Sequence, residues 1–250
     1  MGTPMNSNAW KLALALFPAA GIAADFGLPW GAEYIVNAPG FHTAAVVRDG
    51  AQRVSALGSM SNATKTAAGV SFVGNGAIWS QSAFVITNEF SVGVWFNTSV
   101  NSNLTLFGAN MGAGQSMVEL TLGDIGVAGA TNAYFSAGDT NRPNTDFVRV
   151  ATPNPRDGRD HLLVATMDAA NVRIYLDGVQ HAVTNRTADS SGLINLTNAP
   201  TWGAFNQLSA GTFIRRYSGE LGVGGYWFRA LASNEIQRWY ADGIGLEASR

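Results

Sequence analysis

The sequence predicts an all-β chain folded as a two-sheet antiparallel sandwich, and three observations carry that prediction. Residues 161–183 hold β-type runs, the last two joined by Asp177-Gly178. Further short β-type runs recur between clusters of Gly, Asn, Asp and Pro at roughly ten-residue spacing, the pattern of a sandwich or barrel. A helical period is found in one stretch alone, 231–240.

The hairpin is the most informative stretch. Val172, Ile174 and Leu176 alternate with Arg173 and Tyr175, the period of a half-buried strand. Asp177-Gly178 suits a type I′ turn, whose two central residues both need positive φ. A two-residue loop fixes the register, so Leu176 should face Val179, Ile174 should face His181 and Val172 should face Val183. One face is then almost wholly apolar, with His181 read as a hydrogen-bonded core histidine. Such a face must be covered, and a chain with so little helix offers a second sheet.

Residues 1–38 differ in character from the rest of the chain. An uncharged run between Lys11 and Asp25 is too short for a membrane span, which needs about 20 apolar residues. One Lys, an apolar centre and small residues before a cut after Ala23 or Ala24 would suit a signal peptide. The preferred reading is an apolar N-terminal arm, in which Leu12, Leu14 and Leu16 alternate along an edge strand beside Phe17 and dock on this domain or a neighbour. Gly27, Pro29, Gly31, Pro39 and Gly40 mark loop, and one domain covers 39–250. Its strands are expected at 44–47, 70–73, 83–87, 90–96, 104–107, 116–122, 132–136 and 147–151. After the hairpin they resume at 201–203, 211–216 and 221–228. In the closing helix Ile236, Trp239 and Tyr240 share a face. With Ala232 as N-cap, Glu235 falls at N3 and Leu231 can staple to Ile236. With Ser233 as cap the hydroxyl is better placed and the staple is lost. Gly243 is expected to end the helix.

These residues carry a family resemblance. Phe90-Ser-Val-Gly-Val-Trp-Phe96 resembles the FSVSVWF strand of laminin-G-like, concanavalin A-like domains. The stretch from His161 to Val172-Arg-Ile-Tyr-Leu-Asp-Gly178 resembles their HHVAVTYD…VRLYVDG hairpin. Tyr217-Ser-Gly-Glu-Leu221, Trp227-Phe-Arg-Ala-Leu231 and Glu235-Ile236 are similar to their closing segment, and Val70-Ser-Phe-Val-Gly74 fits their ALSFDG strand less well. The resemblance spans about residues 70–243 and implies a jelly roll. Gly222 stands where the family has an acidic residue, Gly224 stands at its next core position, and the Asp- and Gly-rich opening is absent from 40–60. No calcium or ligand role follows for those positions. The fold itself hosts adhesion modules, lectins, glycosidases and virion parts.

Composition narrows the classes. A net charge of −2 with no basic stripe leaves no footprint for nucleic acid. The absence of Cys excludes disulfides and thiolate metal sites, and fits assembly in a reducing cytoplasm. Charged residues make up 13%, about half the ~25% usual for soluble domains, and Lys11 and Lys65 are the only lysines. A surface so poor in charge is weakly protected against association. Either partners cover much of it, or it is a neutral surface rich in Gly, Ser, Thr and Asn.

Candidate catalytic and metal-binding patterns are sparse. Jelly-roll glycosidases set two carboxylates about 5–5.5 Å apart on one strand face. Among the 17 acidic residues none are two positions apart, and Glu119 and Asp124 would point to opposite faces of a continuous strand. His42, His161 and His181 are not at metal-ligand spacing, and no Gly-x-Ser-x-Gly elbow occurs. We therefore expect no catalytic residues, no resident metal and no cofactor. Asp139-Thr-Asn-Arg-Pro-Asn-Thr-Asp146 gathers oxygens that would suit calcium, and equally suit any exposed turn. Trp79, Tyr134 and Trp202, with Phe135, lie near strand ends, where an exposed ring would stack on a sugar. Asn62, Asn97, Asn103, Asn185 and Asn195 begin sequons, which matter only in a eukaryotic secretory setting.

Three functions remain. The expected one is a non-enzymatic virion surface component, a capsid decoration or tail-associated protein assembled in the host cytoplasm. Its partners would be other virion proteins or copies of itself, in a symmetric oligomer or lattice. The alternatives are a secreted or periplasmic carbohydrate-binding module recognising surface glycans, and a glycan-active hydrolase.

Overall fold

The computed structural model describes residues 34–36, 46–48, 57–65, 70–79, 85–86, 89–110, 117–123, 131–138, 148–186, 194–196, 199–206 and 213–247. The strands are β1 (Tyr34–Val36), β2 (Val46–Arg48), β3 (Leu57–Lys65), β4 (Val70–Trp79), β5 (Val85–Ile86), β6 (Phe90–Asn97), β7 (Leu104–Asn110), β8 (Met117–Leu122) and β9 (Ala133–Gly138). They continue with β10 (Val148–Thr152), β11 (Asp160–Met167), β12 (Asn171–Leu176), β13 (Val179–Asn185), β14 (Ile194–Asn195), β15 (Thr201–Trp202), β16 (Phe205–Asn206), β17 (Phe213–Ile214) and β18 (Gly219–Trp227). A helix, α1 (Ser233–Glu247), follows.

Two antiparallel sheets result. The first runs β10-β9-β8-β7, and the second runs β4-β18-β6-β11-β12-β13, with β3 and β2 extending it beyond β4. The short β15 pairs with both β4 and β7 and joins the sheets along one side. On the other side β10 lies against β12 and β13. Strand β1, inside the segment read as an arm, pairs antiparallel with β18, Tyr34 opposite Tyr226.

Alternation places one residue set between the sheets. Val92, Val94 and Phe96 of β6, Val118, Leu120 and Leu122 of β8, and Phe135 of β9 share one buried core with Val172 and Ile174. Leu163 and Ala165 of β11 belong to that core, while Leu162 and Val164 point outward into a second apolar layer beneath α1. That layer adds Tyr175, Trp227, Leu231, Ile236 and Trp239, flanked by Trp95 and Tyr240.

The turn is formed as its residues require: Asp177 has φ 53° and Gly178 φ 77°. Leu176 faces Val179 and Tyr175 faces Gln180 as expected, but beyond those two pairs the register differs from the one strict alternation predicts. A bulge between Ile174 and Tyr175 sets Ile174 opposite Ala182, so Arg173 faces Val183 and Val172 faces Thr184. His181 is the bulged residue and is exposed, not a core histidine. An extra residue on one strand of a pair shifts all that come after it, and strict alternation gives no hint of where that happens.

The helix starts with Ala232 as its cap. Glu235 N–H and Ile236 N–H donate to the Ala232 carbonyl, and the Ala232 N–H donates to Glu235 Oε2 at 2.9 Å. Leu231 and Ile236 are both buried, as the staple requires. Gly243 does not end the helix, which runs on to Glu247. A Cβ there would lie 2.4 Å from Trp95 Cζ2, so the glycine serves the close approach of α1 to the sheet.

Candidate functional site

The first sheet turns a polar face away from the core. In strands β8 and β9 every second residue points there: Glu119 and Thr121 on one, Tyr134 and Ser136 on the other. Register carries two rows across the face. One passes through Gly108, Glu119, Ser136 and Arg149, and the other through Thr105, Thr121, Tyr134 and Ala151. Thr105, Glu119, Thr121 and Ser136 are buried although they lie outside the core. Tyr134 is half-buried.

Part of the cover comes from β16 and the residues after β17. Gly108 presents no side chain, and the Phe205 ring occupies the space its Cβ would fill, 2.6 Å from that position. The Arg215 guanidinium stands 4.2 Å over the Phe205 ring. From there its Nη1 donates to Glu119 at 2.8 Å from Oε1 and 2.9 Å from Oε2. Thr105 Oγ1 donates to Glu119 Oε1 at 2.9 Å, and Thr105 N–H donates to the Arg215 carbonyl at 2.8 Å. Arg215 holds φ 47°, a left-handed backbone unusual for a side chain of its size. Burial pulls its pKa down while the Glu119 charge pushes it back up.

Both oxygens of the carboxylate are thus engaged. A carboxylate held by a guanidinium and a hydroxyl is fixed as their partner, not presented to a ligand. Glu119 is the one carboxylate carried by strands β7, β8, β9 and β10. Among the described residues no group of three His, Cys, Asp or Glu is placed to hold a metal ion. Thr105 and Thr121 spend their hydroxyls on Glu119 and the Gly123 carbonyl, and Glu119 is buried in its ion pair, so among the described polar side chains of this face the half-buried Tyr134 is the one within reach of a ligand.

A second polar cluster lies at the tip of the hairpin. His161 Nδ1 is 2.8 Å from Asp177 Oδ2 and its Nε2 is 2.9 Å from Asp157 Oδ1. Donating through both nitrogens requires the imidazolium. The bond to Asp177 raises the His161 pKa against the opposing effect of burial, with Asp157 adding to the rise. Asp177 Oδ1 also accepts from Leu162 N–H at 2.9 Å, so the cluster pins the turn to β11.

The residues singled out from sequence are dispersed. Tyr134 lies on the polar face. Trp202 does not face a ligand: it is 1% exposed, its ring centroid 4.8 Å from that of Phe107, because β15 is drawn between the two sheets and its side chain fills their junction. Phe135 is core. Trp79 ends β4, opposite Thr201. Leu12, Leu14, Leu16, Phe17, His42, Asp124 and the 139–146 loop fall outside the described residues. Sequence reasoning finds Glu119 only as an unpaired acid and misses Arg215 and Phe205. The available signal is a charged residue inside an otherwise apolar strand, Met-Val-Glu-Leu-Thr-Leu, which calls for a partner.

Comparison with solved structures supports the architecture. Domain 4 of AbnA, a GH43 extracellular arabinanase from Geobacillus stearothermophilus in complex with arabinotriose, superposes with TM-score 0.55 at 13% identity, covering 73% of this chain and 87% of that one. The binding domain of botulinum neurotoxin serotype D gives TM-score 0.60 at 11% identity, over 86% of this chain and 51% of that one. Trypanosoma rangeli sialidase in complex with sialic acid gives 0.59 at 16% identity, over 83% of this chain and 32% of that one. At such identities the likeness is one of fold. No curated protein sequence matches the chain. Residues 73–237, well over half the sequence, match the model of the concanavalin A-like lectin/glucanases superfamily, and with its two antiparallel sheets the chain belongs to that superfamily.

Proposed function

We propose that this chain is a non-catalytic binding module that holds a carbohydrate against the half-buried Tyr134, on the outward side of β9. The observation that carries this reading is the state of Glu119, whose two oxygens are taken by Arg215 and Thr105. Hydrolysis by the two-carboxylate route needs one acid with a proton to give and a second that is free to attack or to activate water. A buried carboxylate locked in an ion pair leaves no such couple here, and a half-buried tyrosine ring suits retention of a sugar instead. Membership of a lectin/glucanase superfamily, and a structural neighbour bound to arabinotriose, support the ligand class.

A glycan array probed with the intact chain, alongside an assay for released reducing ends, tests this. Retention without release is expected, with at least a tenfold loss of affinity in Tyr134→Ala. Turnover that disappears in Glu119→Gln would establish an enzyme, and an array without retained glycans would remove the binding reading.

A second reading, that the module is displayed on a virion as a capsid decoration or tail-associated protein, is favoured by the scarcity of charge, 13% of residues, and by the alternating Leu12, Leu14 and Leu16 beside Phe17. On that reading the N-terminal segment fastens each copy to a neighbour. Deletion of residues 1–30, which spares β1, should turn an oligomer into a monomer by light scattering. If residues 1–250 are already monomeric, the fastening of one copy to another is removed.

A further inference from the structure

Apart from the polar sheet face, one buried charge stands without a counter-charge among the described residues. Arg156 lies in the 153–159 loop between β10 and β11 and is 9% exposed. Its Nη1 donates to Asn101 Oδ1 at 2.9 Å, and its backbone N–H donates to Asn154 Oδ1 at 3.1 Å. Nε and Nη2 have no partner among the described residues. The neighbouring Asp157 is committed to His161 at 2.9 Å and approaches Arg159 at 3.8 Å. Burial alone acts on the Arg156 pKa, pulling it down, with no carboxylate to offset it.

The unused atoms form a defined shape. Nε and Nη2 make up the lateral edge of the guanidinium, two parallel N–H groups that match the two oxygens of a carboxylate. Asn101 fixes the plane by holding Nη1. A buried polar group without a partner is uncommon in native structures and calls for an explanation. The loops around it, 98–103 and 153–159, meet through the Gly158 N–H bond to the Thr98 carbonyl at 3.1 Å. Ser99, Val100, Asn101, Ser102, Pro153 and Asn154 are exposed, so Arg156 lies among solvent-facing loops at one end of the sandwich and not in its core.

We propose that Arg156 anchors a subsite for the carboxylate of a uronic acid-containing saccharide. One lateral edge and one positive charge suit a planar monoanion, whereas a phosphate dianion would call for a second cation. Arg159, the nearest in sequence, is largely exposed and turned to Asp157. The amides of Asn101 and Asn154 accept from Arg156 through Oδ1, which leaves the NH2 groups of these exposed residues to donate to sugar hydroxyls. This subsite stands independently of the polar sheet face, and either can fail without the other.

The test follows the Arg156 Nε–H signal in protein carrying ¹⁵N-arginine, titrated separately with glucuronate, glucose, acetate, inorganic phosphate and an acidic peptide. Glucuronate should shift the signal saturably, glucose should not, and the other three should bind at least tenfold more weakly. Arg156→Gln should abolish glucuronate binding measured by calorimetry. Arg156→Lys, which keeps the charge and loses the fork, should weaken it at least tenfold. The proposal is overturned if phosphate, acetate or peptide match glucuronate, if the signal does not move, or if Arg156→Gln binds unchanged. Should the variants not fold, the wild-type titration decides alone.

Discussion

Arg215 reaches Glu119 across 96 positions of sequence and does so from a left-handed backbone, so several unfavourable choices are held by one contact. Burying either charge without the other is costly, whereas the pair itself adds little over an apolar replacement of similar volume. Arg215→Met should therefore cost about 3–5 kcal/mol in urea unfolding. The double variant Arg215→Met/Glu119→Leu should recover most of that loss, and a strictly additive double would show that the two charges act separately. His161 carries a pH dependence. Its pKa is raised above the ordinary 6.5 by Asp177 first and by Asp157, so its contribution is fully present below 6.5 and fades as pH rises through the raised value. The Asp157 pKa is lowered from 3.8, chiefly by the bond to His161, so its share is present above 3.8 and is lost as pH falls through the lowered value. The clamp should then be strongest between 3.8 and 6.5. His161→Gln should lose more stability at pH 5.5 than at pH 8 by urea unfolding, the excess being about 1 kcal/mol. An equal loss at both would mean that the imidazolium charge contributes nothing. In the sequence Glu119 is visible as a residue, but its partner Arg215 is not. Contacts between strands far apart in the chain leave no local pattern.

At the scale of elements, legibility follows local chemistry. Asp177-Gly178 fixes its turn because two positive φ values are demanded at neighbouring positions, and the helix start can be reduced to two caps because Leu231, Glu235 and Ile236 sit at capping distances. Strand β3 escapes notice since Leu-Gly-Ser-Met-Ser-Asn-Ala-Thr-Lys has no apolar alternation, and β14 and β16 are two residues long. Gly243 misleads for a different reason: glycine both stops helices and lets them approach, and only packing separates the two. The two roles predict opposite outcomes. Judged by helix propensity alone, Gly243→Ala would gain about 1 kcal/mol. With Trp95 Cζ2 2.4 Å from the added methyl, overpacking should prevail, at about 1–3 kcal/mol. A lowered melting temperature and altered Trp95 fluorescence are expected, since that ring stacks on Tyr240 at 5.6 Å. A raised melting temperature would show that the helix has room to spare.

For the whole molecule, the sandwich is legible and its outer layers are not. Antiparallel neighbours joined by short turns announce themselves in sequence. What then covers each outward face depends on segments arriving from elsewhere, Phe205 and Arg215 on one sheet and α1 on the other. The helix layer makes the stronger claim. Leu162, Val164, Tyr175 and Trp227 belong to strands whose inner faces are already packed, so their outward side chains owe their burial to Leu231, Ile236 and Trp239. Each such side chain contributes about 1.5–3 kcal/mol when fully buried, so three together rival a domain's entire stability of about 5–15 kcal/mol. Ser91 ties the two layers at their join, its Oγ donating to the Arg229 carbonyl at 2.8 Å and accepting from Leu231 N–H at 2.9 Å. A chain stopped after Ala230 should therefore bind an apolar dye, associate in light scattering and lose its cooperative melt, because the strands would uncover the apolar side chains of Leu162, Val164, Tyr175 and Trp227. A stopped chain that melts like the full one, as a monomer, would mean that the sandwich stands on its inner core alone and that α1 is an appendage to it.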